Sequence, residues 1–173
     1  MKQLSIIVLL VLSAPTIFGQ PINSAASLVE FEIKNMKFRT VDGTFAGMQG
    51  TVQFDLANLE SSRFDVCIDA STINTGKKKR DDHLRNEDFF HVEKYPNICY
   101  SSKSIAKNEN AYITRGNLTM NGVTRAVEIA FTISDNTFTG TLTLNRLDYN
   151  VGEGTGTFMV GDEVSATITC IIE

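Results

Sequence analysis

The sequence contains no tryptophan, only three prolines and only three cysteines among its 173 residues. Three cysteines are too few for a disulfide scaffold, and none lies in a Cys-x-x-Cys or Cys/His group with metal-ligand spacing. We therefore expect neither a metal site nor a cofactor. Cys67 and Cys99 can pair only if their strands are neighbours, and the sequence leaves that open.

The chain also lacks a strong excess of one charge, since its net charge is −4 and its charged residues are spread along it. The one basic run, residues 77–80, is followed at once by Asp81 and Asp82. Long-range attraction to nucleic acid or to an anionic membrane surface is therefore not expected to drive binding. We interpret the basic run as a solvated loop.

Only one long apolar run is present, at residues 4–12 behind Lys2. This run is shorter than the roughly 20 residues of a membrane-spanning helix, and its position is typical of a secretory signal peptide. We predict a signal peptide over residues 1–19, export to the periplasm or the cell exterior, and one domain over residues 20–173. A retained N-terminal membrane anchor is the alternative.

Most of the remaining sequence alternates apolar and polar residues, which is the pattern of strands buried on one face. Val29, Phe31 and Ile33, for example, alternate with charged residues. Residues 81–90 lose the alternation and predict a short helix or ordered loop, which Pro96 ends. The predicted strands are residues 29–34, 36–55, 64–70, 97–105, 111–120, 125–134, 138–150 and 163–172.

About eight strands with short turns predict an all-β fold, either an up-and-down barrel or a two-sheet sandwich. Asn121 and Gly122 give the strongest hairpin signal, because a type I′ turn needs positive φ at both central positions. Closure into an antiparallel barrel is favoured, because a closed sheet has no unpaired edge. The interior is then either filled by side chains or able to hold one small ligand. Charged residues at the outward positions argue against a barrel inserted in a membrane.

The stretch 75–96 carries Thr-Gly, Arg-Asp-x-His-Leu, Phe-Phe and Tyr-Pro in that order. It closely resembles the signature of the YceI-like family of exported bacterial lipid-binding proteins. Further segments similar to motifs of this family follow in the right order along nearly the whole mature chain. They are residues 31–35, 41–45, 116–124, 144–149 and 160–164.

The resemblance implies a lipocalin-like, eight-stranded antiparallel barrel with an elongated apolar interior and one short helical segment between strands. It also implies that the partner is a long-chain lipid, either a polyisoprenoid or a fatty-acid derivative, held without catalysis. The three cysteines are not part of the family pattern. The oligomeric state stays open, and a homodimer is compatible with the sequence.

The apolar faces of the predicted strands supply the candidate lining of such an interior. These residues are Phe31, Ile33, Phe54, Val66, Ile68, Leu118, Ile129, Phe131, Leu142 and Ile168. Four further apolar residues are candidates to close one end of the barrel: Phe45, Leu84, Phe89 and Phe90. The alternative is that all these side chains simply fill the barrel, and only the resemblance favours a ligand cavity.

Two arginines are candidate contacts for a lipid head group. The guanidinium groups of Arg80 and Arg146 present a fork of donors that suits a phosphate or a carboxylate. The reading that we favour is that one of them pairs with Asp81 and fastens the helical segment to the barrel mouth. His83 is expected to cap this loop or to form a hydrogen bond within it.

Evidence for an enzyme is weak. His83 and His91 are the only histidines, and their spacing of eight does not place them on adjacent turns of one helix. Nearby carboxylates leave a metal-dependent enzyme as the weakest alternative. No Gly-x-Ser-x-Gly elbow, P-loop or Gly-x-Gly-x-x-Gly motif follows a strand, so we predict a protein without catalytic activity.

Overall fold

The computed structural model describes residues 19–35, 39–157 and 159–173. The predicted signal peptide lies outside the described residues, except for Gly19. Ten strands and one α-helix form the described fold. The strands are β1 Gln20–Pro21, β2 Leu28–Asn35, β3 Arg39–Phe45, β4 Gln49–Gln53, β5 Arg63–Asp69, β6 Asn97–Asn108, β7 Ala111–Met120, β8 Val123–Ser134, β9 Thr137–Asn145 and β10 Val160–Ile171, and the helix is α1 Lys78–Leu84.

All ten strands belong to one antiparallel sheet in the order β1-β4-β5-β6-β7-β8-β9-β10-β2-β3. The sheet is curled, and single bridges join Thr44 of the edge strand β3 to Asn74, and Ile22, which follows the edge strand β1, to Ile172. The predicted antiparallel, lipocalin-like fold is confirmed, with ten strands instead of eight. The predicted segment 36–55 divides into β3 and β4, and the short strand β1 is additional.

The turn between β7 and β8 has the conformation that the sequence predicts. Asn121 has a φ of 48° and Gly122 a φ of 76°, so both central residues are left-handed. This backbone twist matches the right-handed twist of the flanking strands. The hairpin sets the register of two long strands, which pair from Met120 and Val123 up to Tyr112 and Phe131.

The helical segment begins earlier than expected. Helix α1 starts at Lys78, inside the basic run, and turns continue from its end to Tyr95, just before Pro96. The exposed Lys78 ammonium lies 2.7 Å from an Asp82 carboxylate one turn later. Part of the predicted solvated loop is therefore the exposed face of a helix. Within the described residues, no helix is long and apolar enough to cross a bilayer.

The interior of the barrel is divided into a packed end and a hollow end. Five rings fill the packed end with mainly edge-to-face contacts at centroid separations of 5.3 to 6.2 Å. Each such pair adds about 0.5–1.5 kcal/mol beyond the burial of its area. The members of this aromatic cluster are Phe54, Phe64, Tyr112, Phe131 and Phe138.

Candidate functional site

The hollow end of the barrel contains a cavity of about 390 Å³. Inward-facing side chains of β2, β3, β5, β6, β7, β9 and β10 form its wall. Helix α1, the turns that follow it, and the loop between β9 and β10 form its roof. This volume lies within the range of small-molecule sites, which are concave and mostly apolar.

Ten of the fourteen predicted ligand contacts line this cavity. On the strands, alternation places them on the inner face, as with Phe31 and Ile33 of β2, whose neighbours Glu30 and Glu32 are exposed. The turns after α1 bring in the Phe89–Phe90 pair. The ten residues are Phe31, Ile33, Phe45, Ile68, Leu84, Phe89, Phe90, Leu118, Leu142 and Ile168.

The other four predicted contacts do not line the cavity. Phe54 and Phe131 belong to the aromatic cluster at the packed end, where their rings are 6.0 Å apart. Val66 and Ile129 also pack into the core outside the cavity. These side chains face the interior as expected, but they lie at a different level along the barrel axis from the cavity. A strand's alternation gives the face on which a residue lies, whereas its depth depends on the register of the whole sheet.

The cavity also has lining residues that are not among the predicted ligand contacts. Val29, Leu144, Val164 and Ala166 share the inner faces of strands with predicted residues, so a complete count of the alternation includes them. Val151 and Met159 lie in the loop after β9, where no period marks them. The remaining lining residues are Val41, Ile73, Thr75, Ile98, Met120, Thr155 and Val160.

Arg146 is the buried hub of the roof. Only 3% of it is exposed, and burial lowers the pKa of its guanidinium although the nearby Asp162 carboxylate raises it. Its Nη1 donates to the carbonyl oxygens of Val151 and Gly152, both at 2.7 Å. Its Nε donates to the Gly161 carbonyl at 2.8 Å, and its Nη2 donates to two further carbonyls and to Asp162. This arginine therefore holds the loop between β9 and β10 in place.

Gly152 brings this loop into contact with the turns after α1. Its φ is +67°, and a Cβ at this position would come within 2.6 Å of Phe89 Cε1 and 3.0 Å of Arg146 Nη1. Its backbone N–H donates to the Asp88 carbonyl at 3.0 Å. The two halves of the roof are therefore locked together by a residue that cannot carry a side chain without displacement.

Asp81 and Arg80 meet at Thr75 instead of pairing with each other. The buried Asp81 carboxylate accepts from the N–H and the hydroxyl of Thr75, and Arg80 donates to the same hydroxyl and to the Thr75 carbonyl. Burial raises the pKa of Asp81, but these hydrogen bonds and the charges of Arg85 and Arg80 together hold it below its ordinary value.

The expected ion pair between Asp81 and either Arg80 or Arg146 is therefore corrected. Thr75 stands between Asp81 and Arg80, and Arg146 lies 3.4 Å from Asp162 instead. Asp81 and Arg80 of helix α1 each form hydrogen bonds with Thr75, in the segment between β5 and the helix. Both arginines line the cavity. Arg146 donates to protein oxygens from all three nitrogens, whereas Arg80 does so from Nε and Nη2.

The two histidines lie in different surroundings. His83 is exposed at the edge of the cavity and packs its ring on Phe89 at 5.1 Å, whereas His91 packs on Tyr95 at 5.8 Å. In the part of the chain that the structure describes, no three His, Cys, Asp or Glu side chains come together in an arrangement able to hold a metal ion.

The sequence of this chain is similar to a known protein family and to curated proteins. A family model described as the YceI-like domain matches residues 21–171. The UPF0312 proteins YE1254 of Yersinia enterocolitica and ECA1782 of Pectobacterium atrosepticum are each 34% identical to this chain over 103 residues. That stretch is 60% of this chain and 54% of each relative, so the match spans about half the length of these curated proteins.

Solved structures share the fold over most of the chain. BcnA of Burkholderia cenocepacia superposes with a TM-score of 0.81 at 28% identity, covering 88% of this chain and 99% of BcnA. The YCEI protein of Campylobacter jejuni gives 0.70 at 25% identity, covering 82% and 90%. A polyisoprenoid binding domain from Saccharophagus degradans gives 0.69 at 15% identity over 90% and 98%, which is a likeness of fold alone.

Proposed function

This chain belongs to the YceI-like family, and we propose that it is an exported, non-catalytic protein that holds a long-chain amphipathic lipid. The lipid is of the polyisoprenoid or fatty-acid-derivative type, and holding it serves transport, storage or stress protection. The observation that carries this proposal is the cavity of about 390 Å³ at the hollow end, whose wall consists almost entirely of aliphatic and aromatic side chains.

Such a wall binds an alkyl or prenyl chain through the hydrophobic effect. If about 300 Å² of ligand surface leaves water, burial at about 25 cal/mol per Å² contributes roughly 7 to 8 kcal/mol before entropy costs. The polar side chains that reach the cavity, among them Arg80 and Arg146, form hydrogen bonds with the protein itself. This composition supports holding a chain of carbons.

The rival function is a structural or interaction barrel with a filled core. The aromatic cluster supports it for the packed end, where Phe64 and Phe131 stack edge to face at 5.3 Å. It does not account for the hollow end, where the inner faces of β2 and β10 leave space between them and the roof. We therefore favour lipid holding as the function of that end.

The direct test is to extract the purified, exported protein with organic solvent and to analyse the extract by mass spectrometry. We expect a lipid in near-stoichiometric amount. In parallel, farnesol and hexadecanol are added to delipidated protein, because a ligand that binds only the folded state raises the melting temperature. Which of the two stabilises more distinguishes a prenyl from a straight chain. An extract without lipid, together with no thermal shift, refutes the proposal.

A pair of matched variants locates the binding. Ala166 faces the cavity from β10, opposite Phe31 and Leu142, so Ala166→Trp places an indole in the ligand's space. If about 100 Å² of lipid contact is lost, affinity falls roughly 70-fold at about 25 cal/mol per Å². Ala130→Trp makes the same change at an exposed position of β8 and is expected to leave binding unchanged. Equal effects of the two substitutions count against the cavity as the site.

Export and oligomeric state are separate parts of the proposal. The predicted cleavage after Gly19 is tested by N-terminal sequencing of protein recovered from the periplasm or the medium, which should begin at or near Gln20. Recovery only from the cytoplasm, with the leader intact, contradicts export. Light scattering on the same sample measures whether the protein is a monomer or the homodimer that the sequence allows.

A further inference from the structure

Arg80 reaches the cavity with part of its guanidinium group unused. The residue is half-buried and lines the cavity from helix α1 in the roof. Its Nε donates to the Thr75 hydroxyl at 2.6 Å, and its Nη2 donates to the Thr75 carbonyl at 2.8 Å. Its Nη1 donates to no oxygen of the described residues. This nitrogen therefore keeps its donors for a ligand.

The two bonds to Thr75 use only one edge of the Arg80 guanidinium group. A guanidinium has five N–H donors in a planar fork, and the edge formed by Nε and Nη2 is the one bound to Thr75. The edge formed by Nη1 and Nη2 retains two parallel N–H groups. Two parallel donors match the two oxygens of a carboxylate, or two of the oxygens of a phosphate.

The charge of Arg80 has no direct ionic partner. In the part of the chain that the structure describes, no carboxylate forms an ion pair with it. Asp81 is connected to it through the Thr75 hydroxyl, which donates to the carboxylate and accepts from Arg80. The surrounding cluster contains three cations and two carboxylates, which leaves one positive charge. Its members are Lys78, Arg80, Arg85, Asp81 and Asp82.

The lining of the cavity offers no negative charge to compete for this arginine. None of the described lining residues is an aspartate or a glutamate. Three of the few polar lining residues, Thr75, Arg80 and His83, come from one short segment. His83 follows Arg80 by one helical turn and is exposed, so this segment lies where the cavity borders solvent. The cavity therefore has a polar edge with a cation beside an apolar wall.

Arg146, the other arginine of the lining, does not offer the same opportunity. All three of its nitrogens donate to protein oxygens, and only 3% of the residue is exposed. Its charge also has a partner, since Nη2 lies 3.4 Å from an Asp162 carboxylate oxygen. A ligand anion at Arg146 would displace bonds that hold the roof. The two arginines therefore differ: Arg146 is used by the protein, and Arg80 keeps donors for a ligand.

We propose that the Nη1–Nη2 edge of Arg80 binds the anionic head group of the lipid whose chain occupies the cavity. The head carries a single negative charge on two oxygens, as in a long-chain carboxylate, because the cluster around Arg80 leaves one positive charge. An anion without a partner is costly beside an apolar wall, and the guanidinium supplies that partner. This inference rests on the proposed function, because the head group binds together with its chain.

The test compares three probes of one chain length: hexadecanoate, hexadecanol and hexadecyl phosphate, each supplied from cyclodextrin to the delipidated protein. We expect hexadecanoate to bind most tightly. Arg80→Met removes the charge and the fork, so it should weaken hexadecanoate about 10- to 100-fold and hexadecanol much less. Lys79→Met removes an exposed cation of the same helix that does not line the cavity, and it should preserve the preference.

A second variant tests the site with Arg80 in place. His83→Glu adds a carboxylate one turn from Arg80 at the edge of the cavity, so it should weaken hexadecanoate more than hexadecanol. Ala130→Glu adds the same charge at an exposed position of β8 and should leave the ratio of the two affinities unchanged. The ratio is the measured quantity, because Arg80→Met also loses the bonds to Thr75.

The outcomes separate this inference from the proposed function. If hexadecanoate and hexadecanol bind the wild type equally, or if neither Arg80→Met nor His83→Glu lowers their ratio, the head group lies elsewhere and the proposed function stands. Tighter binding of hexadecyl phosphate than of hexadecanoate overturns the singly charged head. If none of the probes binds and the organic extract contains no lipid, the proposed function fails and the head-group site fails with it.

Discussion

Arg146 and Val151 are joined by a hydrogen bond of 2.7 Å from Nη1 to the carbonyl oxygen, in a part of the roof that is closed to solvent. The residues are five apart, and the bond is one of six that this guanidinium forms. Three of the six reach the loop between β9 and β10, and three reach the first residues of β10. The loop has little apolar periodicity of its own. Its conformation therefore depends on one side chain that reaches several carbonyls at once.

Arg146→Lys is expected to loosen this loop, because a lysine keeps the charge but has one donor atom in place of three. Losing several bonds to buried carbonyls should lower the free energy of unfolding by about 2–4 kcal/mol. Urea unfolding measures the loss, and hydrogen exchange should accelerate at residues 151–162. Arg115→Lys is the control, because its pair with Glu128 is exposed and is worth at most about 1 kcal/mol. Equal losses in both variants contradict the role of Arg146 as hub.

The disulfide between Cys67 and Cys99 is expected to stabilise the fold by restricting the conformations of the unfolded chain. The two residues oppose each other in register on β5 and β6, with Cα atoms 4.1 Å apart and a sequence separation of 32. Closing a loop of that length contributes about 3–4 kcal/mol in the chain-entropy model.

Replacing both cysteines by serine should lower the urea midpoint accordingly, and dithiothreitol should do the same to the wild type but not to the double variant. Cys170 should not interfere with thiol assays of the folded protein, because it is buried and burial raises its pKa to about 11. If dithiothreitol leaves the wild-type midpoint unchanged while freeing two thiols, the stabilising role is refuted.

Asp81 should make stability depend on acid pH. Its folded-state pKa is held below the unfolded value, which is about 3.9. The carboxylate therefore contributes stability above the unfolded pKa and loses it as the pH falls through the folded one. Urea midpoints between pH 7 and pH 2 should show this loss, and Asp81→Asn should be less stable at pH 7 with a flatter acid limb. Asp82→Asn, which removes an exposed carboxylate, is the control, and equal effects of the two substitutions contradict the role of Asp81.

Substitutions in the packed end and in the hollow end should affect lipid retention differently. Phe131→Ala removes a ring from the aromatic cluster and is expected to cost about 3–5 kcal/mol. Protein that remains folded should still retain lipid, since Phe131 does not line the cavity. Leu142→Arg, which places a charge in the wall of the cavity, should lose the lipid. Loss of lipid from folded Phe131→Ala protein, measured by mass spectrometry, would show that the two ends act as one site.

Much of the fold could be predicted because its signals are local. Alternation identified the strands, and the positive φ required at Asn121 and Gly122 placed the central hairpin. The division of residues 36–55 into β3 and β4 was less visible, because the apolar pattern continues across the turn. The start of helix α1 was predicted too late for a similar reason, since its first two residues are exposed lysines without an apolar stripe.

The candidate site was predictable only in part. The sequence identified which residues face inward, and ten of the predicted fourteen line the cavity. It could not separate Phe31, in the cavity, from Phe131, in the aromatic cluster, because both alternate in the same way. Nor could it indicate that Thr75 would stand between Arg80 and Asp81, since that contact depends on how the chain returns after β5.

The sequence alone determined an antiparallel β-fold with an apolar inner face, because side-chain direction in a strand follows from a period of two residues. Tertiary structure decided where that inner face is filled and where it encloses a cavity. It also decided which polar groups form hydrogen bonds within the roof and which, like the Tyr149 hydroxyl, have no partner in the described part of the chain. Height along a barrel depends on the register and tilt of all its strands together, and no single strand encodes them.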